Sequence, residues 1–432
     1  MAIFAPLGML NGRQWRAFIA AFLGWTLDAF DFFVVTFIVL DVTKDFGLFT
    51  TNPLTGQAIP DTTRVALAIT LSLMFRPVGA LLFGILADRY GRRGPLMASV
   101  LLYSFFELLS GFSPNLTVLL VLRCLYGIAM GGEWGVGAAL ALETLPAEAR
   151  GVASGIIQQG YAFGYLIAAF VYREFYGAIG WRGMFWVGVL PALLVLYIRS
   201  GVQESPVFLA GEHQRLGESG NLFKSIIQNP LLYIFAIILM AAFNFMSHGS
   251  QDLYPLFLQQ QRGFARDIVG NVTIIMNVGA IIGGTLFGAL SQRYGRKLII
   301  AICCVLGACA IPLWTGAPTA ALLAVGAFIM QFFVQGAWGV VPAHLNELSP
   351  ASVRGTFPGF TYQLGNLITA FAVVWESAIA HKYFPLPSPA TADYGHTMQL
   401  VMLVVFAVVF VVTLIGPEKR GISFEGETTK AA

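Results

Sequence analysis

Gly84–Arg93 reads GILADRYGRR, and Gly288–Lys297 reads GALSQRYGRK 204 residues later. Two further matches keep that offset. Glu143–Gly151 reads ETLPAEARG against ELSPASVRG at Glu347–Gly355, and Trp134-Gly135 recurs as Trp338-Gly339. Three separated matches at one spacing mark an internal duplication, the signature of an architecture built from repeated units. The chain therefore reads as two halves of one design.

Composition says what each half is made of. Of 432 residues, 57% are hydrophobic and 11% charged, and the mean hydropathy is +0.74. A soluble domain carries about 25% charged residues, so this is a polytopic membrane protein. Apolar runs of about 20 residues, the length that crosses a ~30 Å hydrocarbon core, recur twelve times. They cover 16–42, 63–87, 94–113, 116–143, 151–175, 180–200, 229–259, 267–290, 298–316, 320–345, 356–381 and 398–416. The expected fold is an all-α membrane protein with twelve transmembrane helices in two pseudo-symmetric six-helix bundles. Its parts are an N-terminus 1–15, a first bundle 16–200, a linker 201–228, a second bundle 229–416 and a tail 417–432.

Charge sets the orientation. Sixteen lysines and arginines fall in loops sharing a side with both termini, against seven on the other side. The excess of positive charge in cytoplasmic loops then places both termini in the cytoplasm and the chain in the plasma membrane. The net charge of +3 points to no nucleic-acid partner. Cys124, Cys303, Cys304 and Cys309 lie in apolar runs without disulfide or metal spacing. No cofactor motif or nucleophile–base pair is present, so the chain reads as a transporter rather than an enzyme, monomeric, with the lipid bilayer as its surroundings.

The chemistry concentrates in Asn244–Asp252, NFMSHGSQD. On a helix Asn244, Ser247, His248, Gln251 and Asp252 form one stripe at i, i+3, i+4, i+7 and i+8. Its flanks are hydrocarbon. A helix–helix seam uses one or two small polar residues, whereas an imidazole and a carboxylate in a membrane span point to a functional site. In the first span, GWTLDAFDFF places Asp28 and Asp31 on one face, with Arg76 and Arg123 available as counter-charges. Glu133 is a carboxylate whose counterpart at the repeat offset is Ala337. Asp28, Asp31, Glu133 and Asp252 are the candidate proton carriers.

The repeated loops read mechanically. Asp88, Arg89, Arg92 and Arg93 stand with Glu143 and Arg150 at one end of the first half; Arg293, Arg296, Glu347 and Arg354 are their second-half partners. Opposite charges there lock one side of the protein and separate when it opens. Gln292 replaces Asp88 in the second copy, so that latch is the weaker. Further cavity candidates are Gln159 and Tyr161, Gln335 and Trp338, and Gln363, with Gln159 and Gln363 again 204 apart. His344, near the end of the tenth run, reads as a surface residue.

The duplicated DRYGRR-type loop resembles the signature of the major facilitator superfamily. Arg76-Pro77-Val78-Gly79, Arg123 with Gly127 and Gly131, and Glu204-Ser205-Pro206 resemble its metabolite and sialate:proton symporter branches. The stripe from Asn244 to Asp252 resembles the NxxSHxSQDxxxT signature of fungal-type lactate/pyruvate permeases, departing at its last position, where Leu256 stands for Thr. That resemblance implies alternating access and a small monocarboxylate cargo. The residues agree: Arg123 and His248, with amides from Asn244, Gln251, Gln159, Gln335 and Gln363, suit a carboxylate through charge-assisted hydrogen bonds. The expected function is proton-coupled symport of lactate, pyruvate or a similar anion, with the proton as coupling ion and no other cofactor or metal. The alternative is proton symport of sialic acid or another larger organic acid.

Overall fold

The computed structural model describes residues 2–51, 58–215, 222–385 and 392–424. Residues 216–221 of the expected linker and 425–432 of the expected tail lie outside the described residues. Helix α1 (Gly12–Asp45) opens on a capping box. The Asn11 side chain accepts from the Arg13 and Gln14 N–H groups, and the Gln14 side chain accepts from the Asn11 N–H at 2.9 Å. Two three-residue antiparallel strands, β1 (Phe49–Thr51) and β2 (Ala58–Pro60), follow as a small departure from the all-α expectation.

The first half continues through α2 (Thr62–Tyr90), α3 (Arg93–Ser110), α4 (Leu116–Met130), α5 (Glu133–Thr144), α6 (Arg150–Gln158), α7 (Gly160–Val187) and α8 (Pro191–Gly201). Short helices α9 (Pro206–Arg215) and α10 (Leu222–Gln228) fall in the linker stretch. The second half holds α11 (Pro230–Gln251), a single turn α12 (Tyr254–Leu256) running into a π turn at Phe257–Gln261, α13 (Arg266–Tyr294) and α14 (Arg296–Gly316). It closes with α15 (Ala320–Trp338), α16 (Val341–Leu348), α17 (Phe357–Thr369), α18 (Ala372–Tyr383) and α19 (Tyr394–Ile415).

The duplication is visible in the packing. A Cβ at Gly79 of α2 would overlap the Ile128 carbonyl of α4, and one at Gly283 of α13 would overlap the Phe332 carbonyl of α15. Both partners recur 204 residues apart. Bare glycine ridges let backbones meet where lipid is as apolar as any side chain, so dispersion at close approach holds the helices together. Gly91 (φ +99°) and Gly295 (φ +112°) end α2 and α13. A side chain is disfavoured in that backbone region, which accounts for the glycine in both RYGR turns.

By length and apolarity, nine stretches among the described residues are able to cross a membrane, against twelve in the sequence reading. Ala147–Gly201 merges the fifth and sixth runs into one 55-residue stretch, turned within α7 at Gly180 (φ +62°). The run 94–113 folds as α3, where Arg93 and Glu107 dilute the hydrophobicity. The run 356–381 is divided between α17 and α18, whereas 116–143 and 320–345 each remain one span, Leu116–Thr144 and Ala320–Leu348, through turns at Gly131–Gly132 and Gly339–Val340 whose backbone stays right-handed helical. A further correction concerns His344. It is 1% exposed, because α16 packs against α5, α6 and α17.

Candidate functional site

The stripe on α11 lines two neighbouring cavities. Asn244, Ser247 and His248 border an inner one, together with Asp28, Arg76, Gln158, Tyr161, Gln335, Trp338, Tyr362 and Asn366. His248, Gln251 and Asp252 border an outer one with Thr36, Tyr165, Asn277 and Thr369. The inner cavity holds ≈ 30 Å³, room for about one water, whereas the outer holds ≈ 440 Å³. Along α1 the inner cavity meets Trp25–Phe32 and the outer meets Phe32–Thr36, so the outer one lies farther from the N-terminal end.

The two described ends of the chain lie on one side, since Leu7, Leu10, Trp15 and Phe424 share an apolar cluster. That side is closed. Asp88 on α2 accepts from the Gly355 N–H at 2.6 Å, the Thr356 N–H at 2.9 Å and the Thr356 hydroxyl at 2.6 Å. At the pseudo-equivalent place Gln292 accepts from the Gly151 N–H at 3.1 Å. The Ser154 hydroxyl donates to the Gly339 carbonyl at 2.7 Å, and Gly135 faces Gly359 with no room for a Cβ.

Within each half a buried ion pair braces the loop behind these contacts. Arg92 donates twice to Glu143 at 3.1 and 3.0 Å, and Arg296 twice to Glu347 at 3.0 and 2.9 Å. Glu143 also accepts from the Ser205 hydroxyl. Glu204 accepts the Arg92 and Arg93 N–H groups at 2.8 and 3.0 Å, and Glu418 accepts the Arg296 N–H at 2.6 Å. A carboxylate at a helix N-terminus meets unpaired donors and the positive end of the dipole.

Not every expected gating residue spans the halves. Arg89 and Arg293 are exposed and lie over the Tyr90 and Tyr294 rings, and Arg93 donates to the Arg199 carbonyl in its own half. Arg150 and Arg354, 204 residues apart, flank the ring of Phe424 at 3.5 and 4.1 Å. The Arg150 guanidinium also donates to the Ile422 carbonyl at 2.6 Å. A tail residue thus fills the gap between equivalent arginines, which pairwise sequence matching had no means to show.

The pocket wall is polar on one side and aromatic on the other. His248 Nδ1 lies 2.9 Å from the Asp252 carboxylate, one turn away. That contact orients the ring, and a second side-chain hydrogen bond joins it to Asn366 on α17. The Gln335 amide donates to the Ser247 hydroxyl at 3.2 Å, and the Trp338 indole to the Phe243 carbonyl at 3.2 Å. Tyr161 stacks on Trp25 at 5.9 Å, and Tyr362 packs against Trp134 at 4.6 Å and Trp338 at 5.8 Å.

Three expected ligand residues stand elsewhere. Arg123 is 0% exposed and lines neither cavity. It ion-pairs with Glu107, donates to the Ser72 hydroxyl at 3.1 Å and sits over the Tyr126 ring at 3.7 Å. The arginine at the cavity is Arg76, 3.8 Å from Asp28. Gln159 packs on Gly284, leaving Gln158 to face the cavity. Gln363 accepts from Asn366 at 3.4 Å, and it is Asn366 that lines the wall.

Of the candidate proton carriers, Asp28 and Asp252 border the cavities, while Asp31 and Glu133 are buried behind them. Neither Asp31 oxygen has a hydrogen-bond partner, and Glu133 lies against Gly24. Sequence reasoning passed over Glu107 and Glu376. Both are acids inside apolar runs, a signal that was present.

The family model described as Major Facilitator Superfamily matches residues 18–373. The chain is 29% identical to the carboxylic acid transporter protein homolog of Saccharomyces cerevisiae, over 96% of this chain and 70% of that protein. It is 28% identical to the sialic acid transporter NanX of Escherichia coli, over 92% and 95%. The fold matches the solved proton:xylose symporter XylE with a TM-score of 0.73 at 19% identity, covering 97% of this chain and 99% of that one.

Proposed function

From the premise that the chain belongs to the Major Facilitator Superfamily and is a secondary transporter, we propose that it carries small monocarboxylates such as lactate or pyruvate together with a proton. The observation that carries this reading is one cavity into which Arg76 and His248 both face, ringed by the amides of Gln158, Asn244, Gln335 and Asn366. A guanidinium and an imidazole replace the water around a carboxylate, and the amides fix its orientation. The relatives' names agree, since one is a carboxylic acid transporter homolog and another a sialic acid transporter. We read the fold as twelve spans in two bundles, 16–200 and 229–416, joined by 201–228, with both termini in the cytoplasm.

The closed side carries the termini, so the structure corresponds to a state accessible from the opposite side. An anion enters by the ≈ 440 Å³ outer cavity, passes Asp252 and, as the inner cavity widens from the ≈ 30 Å³ of this state, reaches Arg76. There it competes with Asp28, whose contact with Arg76 is loose at 3.8 Å. Asp28, deprived of its counter-charge in a water-poor setting, takes the proton. Four carboxyls (Asp28, Asp31, Glu107 and Glu133) face two guanidiniums (Arg76 and Arg123) in this half, so the cluster has capacity for protons. Binding closes the inner cavity, the contacts at Asp88 and Gln292 part, and the halves rock about the site.

Coupling follows from energetics. A bare anion entering an inside-negative cell costs about 2.3 kcal/mol per 100 mV. One proton per monocarboxylate removes that cost and leaves a driving force of about 1.4 kcal/mol per pH unit. In proteoliposomes with a clamped potential and no pH gradient, labelled lactate equilibrates without accumulating; accumulation driven by voltage alone would refute the stoichiometry. The second reading, a larger acid, is favoured by the NanX relationship. Unlabelled sialic acid competing with labelled lactate at equal concentration would select it.

A further inference from the structure

Glu376 lies on α18, 3% exposed, and neither of its carboxylate oxygens has a hydrogen-bond partner. The carboxyl faces the backbone of α11 beside the site: a Cβ on Gly249 would stand 2.7 Å from Glu376 Oε1. Gly249 follows His248 directly, and Asp252 is three residues on, so it neighbours Gly249 on the helix surface. On its own helix Glu376 stands one turn beyond Ala372, which lines the outer cavity. Two helices pack against α18. From α11 the titratable group acting on Glu376 is Asp252, which is itself paired with His248; α19 presents Met402, and its titratable Tyr394 and His396 sit on its first turn. No cation lies within ion-pair distance of Glu376 among the described residues.

A buried acid with no partner is costly to keep as scaffolding in a membrane. We infer that Glu376 is a second proton-binding group, which exchanges its proton with the outer cavity through the His248–Asp252 pair. The proton passes from water in the outer cavity to the Asp252 carboxylate, then from the Asp252 carboxyl to the Glu376 carboxylate, and it returns by the same path. Carboxyl to carboxylate, the step is balanced without any further reactant. This deepens the reading above and rests on it for its direction of flow.

The test is Glu376→Gln, which keeps the shape and removes the titration, in proteoliposomes holding the full chain. Wild type accumulates labelled lactate about tenfold per pH unit, as one proton per anion requires. The variant loses that accumulation while lactate counterflow, which needs no net proton movement, stays at the wild-type rate. Undiminished pH-driven accumulation overturns the relay. Loss of counterflow as well, in protein that elutes and melts as wild type does, assigns Glu376 a structural role and overturns it too. A separate readout needs no substrate. The infrared spectrum of unliganded wild type shows a protonated-carboxyl band that Glu376→Gln lacks; an unchanged spectrum overturns the proposal. If wild type carries no lactate yet that band disappears in the variant, the monocarboxylate reading fails and the proton site stands.

Discussion

Replacing Asp88 by asparagine opens the closed side, and the size of the effect follows from its bonds. The carboxylate accepts three short hydrogen bonds from Gly355 and Thr356 across the interface and lies 3.4 Å from Arg92. Hydrogen bonds to a charged group contribute about 1.5–3 kcal/mol each, and neutral ones about 0.5–1.5. Asparagine keeps one acceptor oxygen and turns an amide toward donors. The closed state loses about 2–4 kcal/mol, which shifts the open-to-closed ratio by about 30- to 1000-fold.

Gln292 supplies the internal control. It is neutral and accepts one backbone donor across the interface, so Gln292→Ala shifts the ratio by about tenfold at most. Spin labels at Arg89→Cys and Arg293→Cys, exposed ends of α2 and α13, report the separation by pulsed electron resonance once Cys124 and Cys309 are replaced by serine. Asp88→Asn is expected to populate a longer distance. If its distribution matches the wild type, or if Gln292→Ala shifts it as much, the closure does not reside in these bonds.

Three other substitutions test neighbouring steps. Arg76→Lys keeps the charge but loses the planar fork, and is expected to weaken lactate binding by about tenfold or more in isothermal titration; Arg123→Lys, away from the cavity, leaves the affinity within about twofold on the same argument. Phe424→Ala removes a ring held between Arg150 and Arg354. With each cation–π contact contributing about 0.5–2 kcal/mol, the same label pair reads a shift toward the open form, and an unchanged distribution would show the tail contact to be passive.

Much of the fold was legible before any coordinates. Membrane spans announce themselves because lipid admits no unsolvated backbone except as helix, and the duplication was exposed by loops whose glycine must adopt positive φ. The stripe from Asn244 to Asp252 was equally plain, since polar groups on one face of an apolar helix have few other uses. What periodicity did not show was where helices divide or join: 356–381 splits into α17 and α18, while the fifth and sixth runs join through the turn at Gly180, because such points depend on which backbone comes close.

Sequence by itself determined the class, the repeat and the face of α11 that meets the cavity, all of which depend on spacing along one helix. Only the tertiary structure decided which arginine faces the cavity. Arg76 and Arg123 are alike in the sequence, each a lone cation in an apolar run, but Glu107 on α3 draws Arg123 away while Arg76 is left loosely held at the cavity. The same holds for Gln158 over Gln159 and Asn366 over Gln363. Gln158 and Gln159 point some 100° apart on a helix and Gln363 and Asn366 some 60°, and the choice within each pair is made by what packs against each face.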